Sequence, residues 1–254
     1  WRSIHEPITS NVILTGNSDV EIEDETYYFT SDKRTKLNTK PMADFHSYIK
    51  KTLITKYSNK DDNLLDVSCG RGGDLNHWLD SKLNLVVGID VNRNNLENIN
   101  NGICNRVMDV QKDRKDNLLK NILVIWGDSS KLLSNGSAAK DDLNKFYLDV
   151  LYSNIDLVDV ESSKLKRFYG VGTNGFNVLS CQFAIHYFFE SMVKLDIFLQ
   201  NISDNLKSGG RFIGTCLDGG LVFQQLSMNS GSISISEKGN LLCQIVQKYD
   251  RTIL

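Results

Sequence analysis

Leu64-Leu65-Asp66-Val67-Ser68-Cys69-Gly70-Arg71-Gly72-Gly73-Asp74 decides how the chain is read. The apolar run 64–67 has the length of a buried strand, and the stretch after the glycines turns helical over 73–81. A strand that turns through glycine into a helix opens a βαβ unit. A dinucleotide-binding G-x-G-x-x-G counted from Gly70 requires a third glycine at position 75. Leucine stands there, so the nicotinamide-type turn is excluded.

Outward from this turn, short apolar runs alternate with amphipathic stretches. Strands are predicted at 64–67, 85–89, 122–126, 176–181 and 211–217. Helices are predicted at 73–81, 93–103, 140–152 and 188–206, the last stopped by Lys207-Ser208-Gly209-Gly210. A further helix starts at Asp44, with Phe45, Tyr48, Ile49, Leu53 and Ile54 on one face. Residues 153–175 read as a long connection, and 240–249 is the one strand candidate after Leu217. Residues 1–40 are polar, acidic through Asp19, Glu21, Glu23, Asp24 and Glu25 and then basic through Lys33, Arg34, Lys36 and Lys40, as an extension or linker would be. The expected organisation is a 1–40 extension followed by a 41–254 domain of the α/β, doubly wound, Rossmann-like class.

The 254 residues can bury one full core. Five cysteines at wide spacings suggest buried thiols rather than a disulfide framework or a metal site, and no His/Cys cluster points to a metal. No apolar run reaches the ~20 residues of a membrane span, so an intracellular, cytoplasmic setting is expected and no membrane partner. The sequons at Asn135 and Asn201 carry no weight in that setting. A formal charge of −2 argues against gripping long nucleic acid by its phosphates, so a nucleic-acid substrate would be held in a pocket.

Methyltransferases that use S-adenosylmethionine carry a related turn, D-x-G-x-G-x-G, in which small residues admit a ligand that has no pyrophosphate. Asp66, Gly70 and Gly72 match it, and Ser68 replaces the first glycine. The next strand closes on Gly88-Ile89-Asp90, about 18 residues beyond Gly72, where a carboxylate can take both ribose hydroxyls. Trp126-Gly127-Asp128-Ser129 closes the third strand and offers an acceptor to an adenine amino group. Taken singly, each aspartate reads equally well as a helix N-cap.

The fourth strand narrows the acceptor. Ser180-Cys181-Gln182-Phe183-Ala184-Ile185-His186-Tyr187-Phe188-Phe189-Glu190-Ser191 resembles the S-x-Q-F-A-x-H-Y-x-F-E-S signature of mRNA cap guanine-N7 methyltransferases. Cys69 through Trp78 is similar to that family's C-G-K-G-G-D-L-x-K-W. The run from Leu206 to Asp218 is similar to L-K-P-G-G-x-F-I-G-T-x-P-D, and Phe45-His46-Ser47-Tyr48-Ile49-Lys50 to F-N-N-W-I-K. The matches cover roughly residues 40–220. The long approach and the opening on Trp1 resemble the C-terminal methyltransferase domain of multi-domain capping enzymes of large DNA viruses. That resemblance implies a parent chain with triphosphatase and guanylyltransferase domains, working in a virus factory or virion.

The resemblance implies these roles. Lys50 contacts the methionine carboxylate of S-adenosylmethionine, Ser68 and Gly70 its methionyl part, and Asp74 its ammonium. Asp66, the carboxylate at the strand end, helps attract that ammonium, Gly72 belongs to the same turn, Asp90 holds the ribose, and Asp128 with Ser129 the adenine. Gln182 and Tyr187 border the donor. His186 and Tyr187 line the guanine pocket of a 5′-capped mRNA (GpppN end), and His46 stands where the family has an asparagine near the cap. Read alone, His186 is a core histidine, Lys50 a surface lysine, and Phe183, Phe188 and Phe189 core residues. Guanine N7 is already a lone-pair nucleophile, so in-line transfer that leaves S-adenosylhomocysteine needs no general base, metal or covalent intermediate; positioning contributes ~7–11 kcal/mol. The alternatives are a methyltransferase for another acceptor and a non-catalytic Rossmann-like stimulatory module. The family's later Glu-Tyr pair has no counterpart after residue 220, so an incomplete C-terminal hairpin, an open cap pocket and slow turnover are expected of a chain ending at Leu254.

Overall fold

The computed structural model describes residues 40–113, 121–237 and 239–248. The expected extension falls, apart from Lys40, outside the described residues. The chain divides into two compact units, Ser47–Thr215 and Trp1–His46 with Cys216–Leu254. No helix among the described residues is long and apolar enough to cross a membrane.

The Ser47–Thr215 unit is a parallel sheet of five strands: β1 (Asn63–Asp66), β2 (Leu85–Asp90), β3 (Ile122–Trp126), β4 (Phe176–Gln182) and β5 (Leu206–Thr215), in the order β3-β2-β1-β4-β5. Its helices are the C-terminal part of α1 (Lys40–Tyr57), then α2 (Leu75–Asp80), α3 (Arg93–Glu97), α4 (Ile103–Asp113), α5 (Asp142–Leu151), α6 (Ser163–Lys166), α7 (Val171–Asn174) and α8 (Met192–Asn205). Alternation along the strands divides the core in two. Leu64, Val86, Ile122, Val178 and Ile213 pack with Ile54, Leu75, Trp78, Ile103 and Val107. Leu65, Val67, Val87, Ile89, Leu123, Ile125, Leu179 and Cys181 pack with Leu148, Leu151, Phe168 and Phe198. Strands buried on both faces read as continuous apolar runs, which is why β1 to β4 are legible in the sequence, whereas β5 is largely exposed. Strand order reverses between β1 and β4, and ligands of such sheets sit beyond the carboxyl ends there.

Several boundaries differ from the sequence reading. The helix expected over 93–103 stops at Glu97 as α3, and α4, over 103–113, lies beyond it and was not expected. Asn98 turns outward, and its side-chain oxygen accepts from the amides of Asn100 (3.0 Å) and Asn101 (3.2 Å). Asparagine side chains offer the backbone this alternative to a helix. The helix expected from 188 begins at Met192, after a 3-10 turn over Ile185–Glu190. Residues 207–210, expected as a helix stop, lie inside β5: Phe176 pairs with Leu206 and Val178 with Arg211, so they bulge from the ladder. The connection 153–175 contains α6, α7 and a 3-10 turn at Leu157–Asp159. Of the cysteines, Cys69 and Cys181 are buried and Cys104 half-buried, but Cys216 and Cys243 are exposed.

In the described part of the other unit, α9 (Gly219–Met228) is capped by Asp218, whose carboxylate accepts from the Leu221 amide. β6 (Ser232–Glu237) and β7 (Asn240–Val246) follow, paired antiparallel. The single strand expected after Leu217 is therefore corrected to a two-stranded hairpin. The missed strand alternates serine with isoleucine over 232–236, a period-two pattern.

One buried amide holds the segment after β3. Asn201, 2% exposed, donates to the carbonyls of Ser129 (3.0 Å) and Lys131 (2.8 Å) and accepts from the Leu133 amide (3.1 Å). That burial also removes the 201 sequon from any surface. Asn201→Leu leaves three backbone groups without partners, at about 1–3 kcal/mol for each that stays dry. Urea denaturation should show a loss of several kcal/mol, and a loss below about 1 kcal/mol would mean that the segment is held by other means.

Candidate active site

Three neighbouring strands end in the same way. The Oδ1 atoms of Asp66, Asp90 and Asp128 accept from the amides of Ser68, Asn92 and Ser130, each at 3.0 Å, and Asp128 also from the Ser130 hydroxyl at 2.6 Å. An aspartate that captures the amide two residues on makes an Asx turn, and none of the three stands at the N-cap of a described helix. α3 is capped instead by Asn92. The turns fix the direction of each carboxylate.

Asp90 does most. Its Oδ2 accepts from the Gly70 amide at 2.7 Å, tying the loop after β1 to the end of β2. The Asn95 side chain donates to Oδ1 at 3.1 Å and accepts from Arg71 Nε at 3.2 Å, while Arg106 donates to the Arg71 carbonyl at 2.8 Å. Burial pushes the Asp90 carboxyl up, and the bonds from Asn92, Asn95 and Gly70 oppose the shift. Gly72 sits at φ +67°, and a Cβ there would come within 2.6 Å of Ile103. Gly70, at φ +54°, has nothing within 4 Å of a Cβ, so its glycine serves the backbone turn and leaves open space. Asn92, Asn95, Arg71 and Arg106 were not singled out from sequence; asparagines two and five residues after a strand-end aspartate were the available signal.

Beside this loop lies a charged group. Lys50 Nζ is 2.8 Å from Asp74 Oδ1, with 17% and 7% of the side chains exposed. Asp66 is 1% exposed, and its Oδ2 is buried without a hydrogen-bond donor among the described residues. Burial, and next the charge of Asp74, raise the Asp66 carboxyl to about 7, against the pull of the Ser68 amide and Lys50.

The end of β4 forms another part of the unit. The Thr215 hydroxyl donates to Gln182 Oε1 (3.2 Å) and accepts from the Phe183 amide (2.8 Å). In the 3-10 turn that follows, the half-buried His186 and Tyr187 rings lie 4.4 Å apart, tilted by 45°. Burial lowers the His186 imidazole. Phe188 stacks on Phe198 at 3.9 Å and is core as expected, but Phe189 is 46% exposed, against the core reading. Buried Ser129 spends its hydroxyl on the Val67 carbonyl (2.8 Å), joining the ends of β3 and β1. His46 belongs to the other compact unit. So the structure gathers Asp66, Ser68, Gly70 and Asp90 at one loop, Lys50 with Asp74, and Gln182 at the turn before His186 and Tyr187.

A family model described as the mRNA (guanine-N(7))-methyltransferase domain matches residues 24–249. This chain belongs to that family. A relative from Acanthamoeba polyphaga mimivirus, named "Probable mRNA-capping enzyme", is 27% identical over an alignment of 239 positions that covers 89% of this chain and 19% of that protein. "mRNA cap guanine-N(7) methyltransferase 1" of Arabidopsis thaliana is 28% identical over 186 residues, 73% of this chain and 41% of that one. The chain therefore spans less than half the length of either. Among solved structures, an S-adenosylmethionine-dependent methyltransferase from Clostridium acetobutylicum aligns over 81% of this chain and 60% of its own, at 15% identity and a TM-score of 0.41.

The match takes in every residue of the guanine-N7 methyltransferase signature described above, and with it the buried Asp66. The folded value of this carboxyl, about 7, lies above its ordinary 3.8. The folded chain thus holds a proton that the unfolded chain releases between these values, and the associated stability is present below about pH 4 and lost as pH rises through 7. Asp66→Asn should flatten this part of the profile. Unfolding free energies measured at pH 5 and pH 8 should fall by a few kcal/mol more in the parent chain than in the variant, and equal slopes would show that Asp66 is ionised throughout.

Proposed function

We propose that the chain transfers a methyl group from S-adenosylmethionine to N7 of the 5′ guanosine cap of mRNA. The observation that carries the reading is the charge set at the carboxyl ends of the strands, in a chain of this family: a lysine and an aspartate paired, a buried aspartate with an oxygen that has no donor among the described residues, and a ribose-type aspartate at the end of β2. These residues fit the group. An α-amino acid moiety presents a carboxylate to Lys50 and an ammonium to Asp74 and Asp66, and the open space over Gly70 admits its backbone. Ser68 and Gly72 belong to the same loop. Asp90 would take the ribose hydroxyls and Asp128, beside Ser129, the adenine; Gln182 and Tyr187 would border the donor, and His186 and Tyr187 the guanine.

S-adenosylmethionine, when bound, supplies an electrophilic methyl on a sulfonium. Guanine N7 presents its own lone pair, so the residues of the chain have no proton to remove. Their work is to orient the two partners and exclude water. Low-basicity His186 stays neutral near pH 7 and adds no positive charge beside a guanine that becomes cationic. An aromatic ring such as Tyr187 favours that cation. The reading carries further proposals: residues 41–254 as the methyltransferase domain behind a 1–40 extension, an intracellular setting where capped mRNA is made, and a larger parent chain. The 19% share of the mimivirus relative favours the last, with triphosphatase and guanylyltransferase domains in the same polypeptide.

Incubation with labelled S-adenosylmethionine should label GpppA-ended RNA and leave triphosphate-ended RNA unlabelled, and no difference between the two would remove the proposal. Asp90→Ala should weaken S-adenosylhomocysteine binding by about 1.5–3 kcal/mol, roughly 10- to 150-fold in calorimetry. His186→Ala should instead slow transfer to the cap with donor affinity kept within about twofold. If both fall together, His186 is a core histidine whose loss disturbs the whole strand end.

A further inference from the structure

We infer that Thr215 is a positioning residue for the reaction, its hydroxyl holding the turn that carries Gln182, His186 and Tyr187. The inference rests on the function proposed above. Thr215 stands directly opposite Gln182 in the β4–β5 register. A hydroxyl has one proton to give and lone pairs to receive, and here both capacities are used on the turn: it donates to Gln182 Oε1 at 3.2 Å and accepts from the Phe183 amide at 2.8 Å. The first bond fixes which way the Gln182 amide faces, leaving Nε2 toward Ser180 Oγ at 3.4 Å.

The second bond matters because of what Phe183 is asked to do. Its φ is +56°, a left-handed conformation that a bulky residue adopts only when its surroundings impose it. The chain then passes into the 3-10 turn, where the Tyr187 amide donates to the Ala184 carbonyl at 3.0 Å. Gly214, next to Thr215, lets this happen at close quarters. A Cβ there would lie 2.6 Å from Ile185 Cδ1 and 2.8 Å from the Cys181 carbonyl oxygen. Two adjacent residues of β5 thus seat the reversal at the end of β4, one by having no side chain and one by hydrogen bonding. If Thr215 were present only for strand propensity, valine would serve as well.

Thr215→Val keeps the shape and removes both bonds; Thr215→Ser keeps the bonds and removes a methyl. In the full chain, Thr215→Val should lower kcat/KM for the capped acceptor at least tenfold and speed amide exchange over 183–187 at least tenfold. S-adenosylhomocysteine affinity, which Gln182 and Tyr187 are proposed to support, should fall less than turnover does, and exchange at Leu65 and Val178 should not change. Thr215→Ser should restore turnover and protection. Parent-like turnover and exchange in the valine variant would overturn the inference, as would a serine variant as impaired as the valine one or protection lost equally at Leu65 and Val178. A parent chain that methylates no capped acceptor would defeat the proposed function, and the exchange comparison would still decide whether Thr215 holds the turn.

Discussion

The hydrogen bond from the Gly70 amide to the Asp90 carboxylate is the constraint around which the candidate site is arranged. Two parallel strands that leave the sheet side by side would otherwise diverge into independent loops. Binding the first loop to the second strand's terminal side chain makes the loop tight, and tightness imposes the left-handed glycines and the contact of Gly72 with Ile103. The same bond uses one lone pair of Oδ2 and holds the carboxylate at one angle. Asn95 and Arg71 close the arrangement from the other side, so the side chain proposed to meet the ribose is rigid before any ligand arrives.

Rigidity here has an electrostatic cost. Asp66, Asp74 and Asp90 are all buried, and Lys50 answers Asp74 directly. Burying carboxylates opposes folding unless hydrogen bonds and counter-charges offset it, and Asp66 retains an oxygen with no donor among the described residues. Such a position makes sense where a cationic ligand completes the set, since a site that is fully satisfied when empty has little left to give a ligand. The raised Asp66 carboxyl and the left-handed Phe183 both depart from local preference, at the ends of β1 and β4 that flank the switch point.

Legibility followed the strength of the local signal. The apolar runs of β1 to β4 were readable because a doubly covered strand admits nothing else, and the specific residue strings around Gly70 and Gln182 gave the family. The helix that opens at Arg93 is shorter than its apolar spacing suggests, because the asparagines of 98–101 prefer to bond their own backbone, and α4 beyond them carries too few apolar residues to stand out. β6 is faint in the sequence although its serine–isoleucine alternation is regular, since serine is a weak strand former and the segment has no continuous apolar run.

By itself, the sequence determined which side chains could carry the chemistry: glycines where the chain must turn left-handed, aspartates closing three strands, and a fourth-strand signature too long to arise from packing alone. Local rules suffice for these because each depends on neighbours within a few residues. Only the tertiary structure decided how those side chains are held. Asp90 is pinned by an amide 20 residues before it, Ser129 is turned away to the Val67 carbonyl 62 residues back, and Thr215 reaches the Phe183 amide across 32 residues. Those partners meet only because parallel strands place distant residues in register, and neither propensity nor periodicity records which strand lies beside which.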